Sequence, residues 1–497
     1  MNLASILSDH DDDKVALIDA LGPMTYGELR SQSASLRGGL LARGLKKGER
    51  VAIVCGNTRN FVVSYLAIVG AGLVAVPLNP LSPTPELQRE LSAVAARGIV
   101  VGPAGRGAIH SLDRDQVESL VLFISCPGVE LEGAIPLSDL LTHEPSPLAE
   151  VAPDDLAVLI FTSGTAGPPK AAMLTHGNLE VNQRQTIAQA AEGFIPDDTA
   201  YCVLPLFHIF GLNSVLGTSL RLGATVLLVE RFDPNSLLQA IAQNGVSLVV
   251  GPPTLWLSVA SLPEVTPAQF EGVRVAVSGA AKLTDYTVEL VERRLGIKLS
   301  EGYGLTEASP SLTTNLGLDS PRGSVGRPLP AVEIRIVDAD GDDVLIGDAG
   351  EILARGPNIF AGYWQDDEAT SSVLDADGWL HTGDIGVVDE RGFISIIDRA
   401  KDLIIVSGFN VYPAEVEDVL ESHAAVSMAA VVGIPHPHSD EAVKAIVVLE
   451  PDSHTEEDEL ISFARTQLAA YKCPVKIDLV SELPTGPNGK VLRRELS

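Results

Sequence analysis

Apolar runs that suit buried strands alternate with helical patterns through residues 25–277. Thr25 and Glu28 form a capping box, the sequence signal for the first turn of a helix, and apolar residues follow at Leu29, Leu36 and Leu40. Short runs close to Gly, Pro or Asp predict strands over 51–55, 99–101, 120–124, 157–161, 201–204, 224–229, 247–250 and 273–277. Strands that alternate with helices favour an α/β fold with largely parallel sheets.

Residues 61–78 carry no charge over about the length that a bilayer requires. The break at 70–72, Gly-Ala-Gly, divides them into a helix-like half and a half rich in β-branched residues. We therefore expect a buried helix followed by a buried strand, and no transmembrane segment. Farther along, Thr84 is expected to be the N-cap of a helix whose first residue is Pro85.

The pattern changes in the last third of the chain. From about residue 326, shorter alternating strands separated by Gly and Asp turns, over 332–337, 351–354 and 393–397, predict a smaller, more antiparallel subdomain. The last part predicts a compact α+β domain with helices over 413–422 and 457–468 and strands over 428–432 and 445–449. We place the domain boundary at 399–401, which gives domains over 1–398 and 402–497.

Composition and charge exclude several classes of function. The chain has 497 residues, enough for two or more domains, and a formal net charge of −30. Such an acidic protein would repel nucleic acid and anionic membranes, so a polyanionic substrate must be bound by individually placed lysines and arginines. The 4 cysteines form no CxxC pair, and residues 1–14 contain acidic residues but no apolar signal-peptide core. We expect a cytoplasmic protein with reduced cysteines.

The strand over 157–161 leads into a turn of small and hydroxylated residues that suits a phosphate group. Glycines at positions 164 and 167 tolerate positive φ and leave room for phosphate oxygens. The turn is not a Walker A loop, because Pro168 and Pro169 separate the last glycine from Lys170, and Ala171 follows. The sequence therefore predicts a polyphosphate-binding turn of another kind, and an ordinary polar loop between strands is the alternative.

Other candidate residues follow strands or lie in glycine-rich turns. Ligands of open α/β sheets bind outside the carboxyl ends of the strands, so we expect 205–208, 251–254 and 278–281 to converge on one crevice. In the segment 301–307, an aromatic ring, a hydroxyl and a carboxylate suit a base, a phosphate and a magnesium ion. Taken alone, that segment would be an ordinary β-turn.

Two further candidates lie nearer the carboxyl terminus. Asp384 ends an acidic turn and is suited to accept hydrogen bonds from both hydroxyls of a ribose; an acidic surface turn is the alternative. Lys490 lies on a glycine-rich tip, where a lysine is usually solvated, and becomes significant if that tip folds over an anionic site.

Together these segments resemble the adenylate-forming superfamily, which includes acyl-CoA synthetases, aryl-CoA ligases, adenylation domains of peptide synthetases and beetle luciferases. The resemblance spans residues 25–496 and rests on at least five motifs in the family's order and spacing. It implies a large N-terminal domain of layered α/β subdomains with a small β-subdomain. It also implies a small mobile α+β C-terminal domain that rotates about the predicted hinge between two half-reactions.

The resemblance also implies individual roles. Thr306 would lie at the α-phosphate, Glu307 on Mg²⁺, Asp384 on the ribose, and Lys490 would be the catalytic lysine. Residues 407–410 would enter the site for the thioester step. The candidate catalytic residues are Lys490, Thr306 and Glu307, which the resemblance implies, with Glu307 as metal ligand, and His208, which follows a predicted strand. The residues implied for binding ATP or CoA are Thr162, Ser163, Gly164, Thr165, Gly167, Lys170, Gly279, Ala280, Ala281, Gly302, Tyr303, Gly304, Thr306, Asp384, Ile396, Arg399, Lys401, Ser407, Gly408 and Phe409.

The sequence departs from the family pattern in the phosphate turn. Ala166 stands where Thr or Ser is usual, and Ala171 stands where Gly is usual. The first change removes one hydroxyl that a phosphate could use, although Ser163 and Thr165 remain. We expect weaker ATP binding rather than inactivity.

The sequence gives less information about the carboxylic acid substrate than about the reaction. The candidate pocket residues are His208, Phe210, Ser214, Thr254, Ala280 and Tyr303. They include no Asp or Lys to receive an amino group, which disfavours amino-acid substrates. His208 is expected to gate the acyl tunnel or approach the carboxylate; a packing histidine is the alternative.

The segments 377–399 and 406–413 resemble fatty acyl-CoA synthetases, and plant-type coumarate ligases share much of both. The expected function is ATP-dependent ligation of a medium- or long-chain fatty acid to coenzyme A through acyl-AMP, in a monomer or homodimer. The alternatives are an aryl-CoA ligase, an acyl-AMP ligase that loads a carrier-protein phosphopantetheine, and a nucleotide-binding pseudoenzyme.

Overall fold

The computed structural model describes residues 1–162, 170–190, 193–399, 402, 404–406, 409–436, 440–451, 453–468, 470–486 and 491–496. The chain divides into two compact units. The first contains Met1–Asp319, Gly326–Glu333 and Arg355–Leu380, and the second contains Ser320–Val325, Ile334–Ala354 and His381–Ser497. The domain boundary placed at 399–401 lies within the second unit and stays a prediction.

The strands of the described residues have the following bounds. They are β1 (Val15–Asp19), β2 (Gly22–Thr25), β3 (Arg50–Val54), β4 (Val74–Pro77), β5 (Gly98–Val101), β6 (Leu122–Ser125), β7 (Ile135–Pro136), β8 (Leu156–Thr162), β9 (Lys170–Thr175), β10 (Thr199–Cys202), β11 (Thr225–Leu228), β12 (Leu248–Gly251), β13 (Val275–Ser278), β14 (Ser300–Gly304), β15 (Ser311–Thr314), β16 (Arg327–Pro328), β17 (Glu333–Val337), β18 (Gly350–Arg355), β19 (Leu380–Val388), β20 (Ile394–Arg399), β21 (Ile404–Val406), β22 (Phe409–Val411), β23 (Val426–His436), β24 (Asp440–Leu449) and β25 (Lys476–Val480).

The α-helices of the same residues are α1 (Tyr26–Ala42), α2 (Arg59–Gly70), α3 (Thr84–Ala93), α4 (Arg106–His110), α5 (Leu137–Leu140), α6 (His176–Gln189), α7 (Thr218–Leu222), α8 (Pro234–Asn244), α9 (Pro253–Ala260), α10 (Asp285–Leu295), α11 (Asp367–Ser371), α12 (Pro413–Glu421) and α13 (Glu457–Gln467). A π-helix over Phe210–Gly217 runs directly into α7. π-Helical turns are rare and often occur at functional sites.

The first unit is built on two sheets. One has the strand order β7-β6-β5-β3-β4-β8-β9, in which β9 pairs antiparallel with β8 and the other pairs are parallel. The other has the order β16-β15-β14-β13-β12-β10-β11-β1-β2, with a parallel run from β14 to β1. The predicted α/β layering with largely parallel sheets is confirmed, and the helix and strand expected within 61–78 are α2 and β4.

The parallel run brings the predicted crevice segments to one edge. β10, β12 and β13 are successive neighbours in the sheet, so the segments that follow them, 205–208, 251–254 and 278–281, leave the same edge. β14 is the next neighbour and carries Tyr303. The shared edge expected from the strand pattern is confirmed, and the ligand crevice at that edge stays a prediction.

The second unit contains shorter sheets, as the change of sequence pattern indicates. β17-β18-β19-β20 are neighbours in that order, with β19 and β20 antiparallel. The C-terminal part has the order β22-β21-β24-β23, and β25 pairs with β24. Helices α12 and α13 pack their buried apolar residues, including Val416, Leu420 and Leu460, into the core of this sheet.

Local details separate correct predictions from a wrong one. The capping box at Thr25 and Glu28 is present. Thr84 is not an N-cap: α3 begins at Thr84 itself after Pro83, and the Thr84 hydroxyl donates to the Ala108 carbonyl at 3.0 Å. The prediction was wrong because that hydroxyl is used by a neighbouring helix.

The cysteines and the membrane question can also be compared with the structure. All the cysteines, Cys55, Cys126, Cys202 and Cys473, are free and buried, which agrees with the expected absence of a disulfide framework. Among the described helices, none combines the length and apolar character that crossing a bilayer requires.

Candidate active site

The β8–β9 hairpin brings the two ends of the predicted phosphate turn together. Thr162 and Lys170 are paired in register, and the Thr162 hydroxyl donates to the Lys170 carbonyl at 3.3 Å. Ser163, Gly164, Thr165 and Gly167, together with Ala166, lie outside the described residues. Lys170 is half-buried, and its Nζ lies 5.3 Å from the centroid of the Tyr363 ring. The structure therefore places a lysine at the end of the predicted turn, and its role in phosphate binding stays a prediction.

Tyr363 joins this lysine to the predicted magnesium ligand. Its hydroxyl donates to Glu307 Oε1 at 2.6 Å. Burial raises the pKa of the Tyr363 phenol, and the negative charge of Glu307 raises it further. The phenol therefore stays protonated and keeps donating to the carboxylate. Sequence reasoning missed Tyr363, since the two residues are 56 positions apart and no local pattern joins them.

Backbone pairing holds Tyr363 in place. The segment around it lies along β9: the Trp364 N–H donates to the Ala171 carbonyl at 2.8 Å, and the Ala361 N–H donates to the Met173 carbonyl at 2.9 Å. The Phe360 N–H donates to the Glu307 carbonyl at 2.8 Å. The hairpin, the Tyr363 segment and Glu307 therefore form one hydrogen-bonded unit.

Buried amide side chains fix the turn that follows Glu307. Asn358 Nδ2 donates to the carbonyls of Ala308 and Ser311 at 2.9 and 3.1 Å. Asn182 Nδ2 donates to the same Ser311 carbonyl at 2.8 Å, and its Oδ1 accepts from the Ser311 N–H at 3.1 Å. Asn182 thus pairs with the backbone as a neighbouring strand would. Thr306 begins the short 3₁₀ turn Thr306–Ala308 and is half-buried.

Close contacts explain two of the predicted glycines. A Cβ on Gly304 would overlap the Pro310 carbonyl oxygen, and a Cβ on Gly279 would lie 2.9 Å from Phe210 Cζ. The ring of Phe210 therefore packs directly against the backbone at Gly279. Ala280 has a φ of +69°, in the left-handed region that favours glycine, so this wall of the site is a sharp turn.

The remaining predicted residues of the first unit lie on or beside β14. Gly302 and Tyr303 pair with Thr314 and Thr313 of β15. Ala281 is exposed after the turn at Ala280.

His208 lies on a loop whose backbone is hydrogen-bonded to the side chain of Asn57. Asn57 is buried, its Nδ2 donates to the Leu204 carbonyl at 2.9 Å, and its Oδ1 accepts from the Leu206 N–H at 3.0 Å. His208 is half-buried, and its Nδ1 accepts from the Phe210 N–H at 3.3 Å. The structure therefore places His208 beside Phe210 at the crevice edge of the sheet. Sequence reasoning missed Asn57, because it follows β3 of the other sheet, 147 positions before Leu204.

Glu301 is a further residue that the sequence did not single out as titratable. It precedes Gly302 in β14, and burial raises the pKa of its carboxyl to about 7, with Asp285 adding to the shift. This carboxyl therefore changes charge near neutral pH beside the predicted nucleotide wall.

The second unit contains the predicted ribose ligand. Asp384 is buried on β19 and pairs in register with Arg399 of β20, while Ile396 pairs with Gly386. The Asp384 N–H donates to the Thr382 hydroxyl at 3.2 Å. Phe409 begins β22. Lys401, Ser407, Gly408 and Lys490 lie outside the described residues, and their roles stay predictions.

An ion-pair cluster lies on both sides of the predicted hinge in sequence. Arg493 contacts Asp398 at 3.4 Å, Asp402 at 3.0 Å and Glu417 at 2.7 Å. Asp398 also accepts from the Ala414 N–H at 2.8 Å. One guanidinium therefore joins the residue before the hinge to the helix that follows it.

The described residues contain no group of three or more His, Cys, Asp or Glu side chains that could hold a metal ion unaided. Mg²⁺, however, is usually bound by one or two protein carboxylates together with substrate phosphates. Glu307, whose carboxylate already has Tyr363 on one oxygen, fits that mode of binding. The residues present are therefore compatible with a magnesium ion brought with ATP.

Comparison with known proteins identifies the family. Residues 7–364 match the family model of AMP-binding enzymes. The chain belongs to the AMP-binding enzyme family. Residues 415–490 match the C-terminal domain of the same enzymes, and both matches support membership of the adenylate-forming superfamily.

Similar proteins cover nearly the whole chain. A feruloyl-CoA synthase from Amycolatopsis sp is 36% identical over 479 residues, which is 95% of this chain and 93% of the relative. A long-chain-fatty-acid–CoA ligase from Escherichia coli O157:H7 is 35% identical over 518 residues, covering 97% of this chain and 91% of the relative. The crystal structure of ATP-bound MatB from Rhodopseudomonas palustris has a TM-score of 0.93 at 34% identity, covering 100% of this chain and 98% of that one. The large domain and small C-terminal domain of such enzymes account for the fold class.

Proposed function

We propose that this AMP-binding enzyme is an ATP-dependent carboxylate–CoA ligase of medium- or long-chain fatty acids. It would join the acid to the α-phosphate of ATP, release pyrophosphate, and transfer the acyl group from acyl-AMP to the thiol of CoA. The observation that carries the proposal is the Lys170–Tyr363–Glu307 unit at the end of a predicted phosphate turn, in a chain of this family.

The charges of the site suit the first half-reaction. A carboxylate and ATP repel each other, and the ammonium of Lys170 would offset part of that repulsion at the phosphates. Mg²⁺, when bound with ATP, would neutralise phosphate charge, and Glu307 would hold it. Thr306 would donate to the α-phosphate from the turn that the buried amides fix. Lys490, in the role implied by the resemblance, would neutralise the charge that develops at the reacting phosphate.

The acid is the finer part of the proposal. The first relatives compared are named for long-chain fatty acids and for ferulate, an aromatic acid. Phe210 against Gly279 gives the predicted acyl side an aromatic wall, which favours an aryl-CoA ligase as the second candidate. The candidate pocket residues include no Asp or Lys that could bind an amino group, which disfavours an amino-acid substrate.

The test is pyrophosphate release with ATP and Mg²⁺ against saturated C6 to C18 acids and against cinnamate-type acids, each with and without CoA. Turnover that requires both a fatty acid and CoA would support the proposal. Higher kcat/KM for the aromatic acids would replace it with the aryl-CoA ligase.

Two other outcomes would change the assignment further. Accumulation of acyl-AMP that CoA does not discharge, but a phosphopantetheinylated carrier protein does, would indicate a carrier-loading enzyme. If no acid supports pyrophosphate release while ATP still binds, the protein would be a nucleotide-binding pseudoenzyme.

A further inference from the structure

Four residues form a buried chain of hydrogen bonds that ends at the turn after Glu307. Arg221 Nε donates to Gln183 Oε1 at 2.6 Å, and Gln183 Nε2 donates to Asn213 Oδ1 at 2.7 Å. Asn213 Nδ2 then donates to the Ser309 carbonyl at 2.6 Å. We name Arg221, Gln183, Asn213 and Ser309 the amide relay. It links α7, α6 and the π-helix to the turn that begins at Thr306.

The direction of the relay is set at both ends. A guanidinium can only donate hydrogen bonds and a carbonyl can only accept them. The carbonyl oxygen of Gln183 must therefore face Arg221, and the amide nitrogen of Asn213 must face Ser309. Asn213 Nδ2 also donates to the Leu179 carbonyl at 3.2 Å, which requires the same orientation. Every link of the relay has one donor and one acceptor.

The side chains of the relay are buried. Gln183 and Asn213 are each 1% exposed, and the Arg221 side chain is 11% exposed. A Cβ on Gly217 would overlap Gln183 Nε2, so a glycine at the end of the π-helix lets the amide pass. Burying two amides is costly unless each finds a partner, and the amides of Gln183 and Asn213 bond to each other and to the two ends of the relay.

The acceptor of the relay is a constrained residue. Ser309 has a φ of +71°, in the left-handed region, two residues after Glu307. A serine adopts this conformation at a cost and keeps it only when its surroundings hold it. The hydrogen bond from Asn213 is one such restraint, and it fixes the direction in which the chain leaves Glu307.

We propose that Gln183 and Asn213 are positioning residues for adenylate formation: the amide relay holds the Ser309 turn and thereby orients Thr306 and Glu307 toward Mg²⁺ and ATP. The proposal rests on the proposed function. The hydrogen bonds of such a chain polarise and so strengthen one another.

The test replaces the donor between Gln183 and Asn213 with an acceptor and keeps the size of the side chain. Gln183→Glu keeps the shape and gains an ion pair with Arg221, but it removes the donor that faces Asn213. If the Asn213 amide rotates to compensate, its oxygen faces the Ser309 carbonyl. Gln189→Glu is the control, because it makes the same amide-to-carboxylate change at a half-buried position at the end of the same helix, and Gln189 takes no part in the relay.

Three quantities are measured in folded protein. They are ATP–pyrophosphate exchange, the affinity for a non-hydrolysable ATP analogue with Mg²⁺ by calorimetry, and thioester formation from supplied acyl-AMP and CoA. For Gln183→Glu we expect exchange to fall about 10–100-fold, since a displacement of about 1 Å can cost 10²-fold. We also expect several-fold weaker binding of the Mg²⁺-analogue complex and thioester formation within about twofold of wild type. Gln189→Glu should retain all three.

Wild-type exchange and binding in Gln183→Glu, or equal losses in Gln189→Glu, would overturn the proposal. If circular dichroism shows that Gln183→Glu does not fold, Arg221→Lys decides instead, because it keeps the charge and removes the Nε donor. If the wild-type enzyme releases no pyrophosphate with any acid, the proposed function is refuted. The calorimetric affinities of the variants for the ATP analogue would still test whether the relay positions Thr306 and Glu307.

Discussion

The phenol of Tyr363 donates a 2.6 Å hydrogen bond to the carboxylate of Glu307, and the ammonium of Lys170 lies 5.3 Å from the centre of the same ring. Tyr363→Phe removes the donor and keeps the ring. Because hydrogen bonds to charged groups contribute about 1.5–3 kcal/mol, we expect kcat/KM for pyrophosphate release to fall roughly 10- to 100-fold, with a higher Mg²⁺ requirement.

A control for that change is Tyr201→Phe. Tyr201 is also buried, and its hydroxyl lies 3.2 Å from the Ser236 hydroxyl, with no link to Glu307 in the hydrogen bonds of the described residues. It should leave the Mg²⁺ requirement unchanged. An unchanged Mg²⁺ requirement in Tyr363→Phe would show that Tyr363 serves packing alone.

Lys490 should act in only one half-reaction. We expect Lys490→Ala to lower adenylate formation by about 10²–10³, the usual effect of removing one electrostatic group, and to spare thioester formation from supplied acyl-AMP. The measurement is single-turnover kinetics of each half-reaction. Lys476→Ala, which removes a lysine paired with Asp478, is the control. Equal loss of both half-reactions would refute the role.

Breaking the Arg493 cluster should cost more stability than breaking a surface ion pair. Arg493→Met leaves Glu417 buried without its cation, and burial already raises the pKa of that carboxyl. We expect the free energy of unfolding to fall by about 3–5 kcal/mol, measured by urea denaturation. Arg335→Met removes a surface pair with Asp343 and should cost less than about 1 kcal/mol. Similar costs for the two variants would contradict this difference.

His176 should make stability depend on acid pH. It is fully buried at the start of α6, and its Nδ1 accepts from the Leu3 N–H at 3.1 Å. Burial lowers its pKa from 6.5 to about 4, with Asp155 opposing part of the shift. As pH falls, the unfolded chain binds the proton first. The contribution of His176 is therefore complete above pH 6.5 and is lost toward pH 4, by up to about 3 kcal/mol.

His176→Asn tests this dependence, because an asparagine keeps an acceptor for Leu3 and does not titrate. Thermal unfolding measured at intervals between pH 4 and 7 should show a shallower decline in the variant. If the wild type and the variant decline in parallel, His176 is not the titrating group.

The sequence predicts what is encoded locally. Glu307 and Asp384 lie in short motifs, so both could be named as candidates from the sequence. Their elements, the 3₁₀ turn Thr306–Ala308 and strand β19, were not among those predicted, because neither has a regular apolar pattern. Tyr363 could not, because its role depends on a partner 56 positions away. Gln183 and Asn213 could not either, since polar residues on a helix normally indicate a solvated face, and here that face is buried.

The π-helix contains two kinds of residue with separate duties. Phe210, a predicted pocket residue, packs against Gly279, and the Ser214 hydroxyl lies 3.3 Å from the Ser311 hydroxyl. Asn213, between them in sequence, serves the amide relay. We therefore expect substitution of Phe210 to alter the accepted acid and to leave the hydrogen bonds of the amide relay in place. A single short helix would in this way let one scaffold diversify among acids as different as a fatty acid and ferulate.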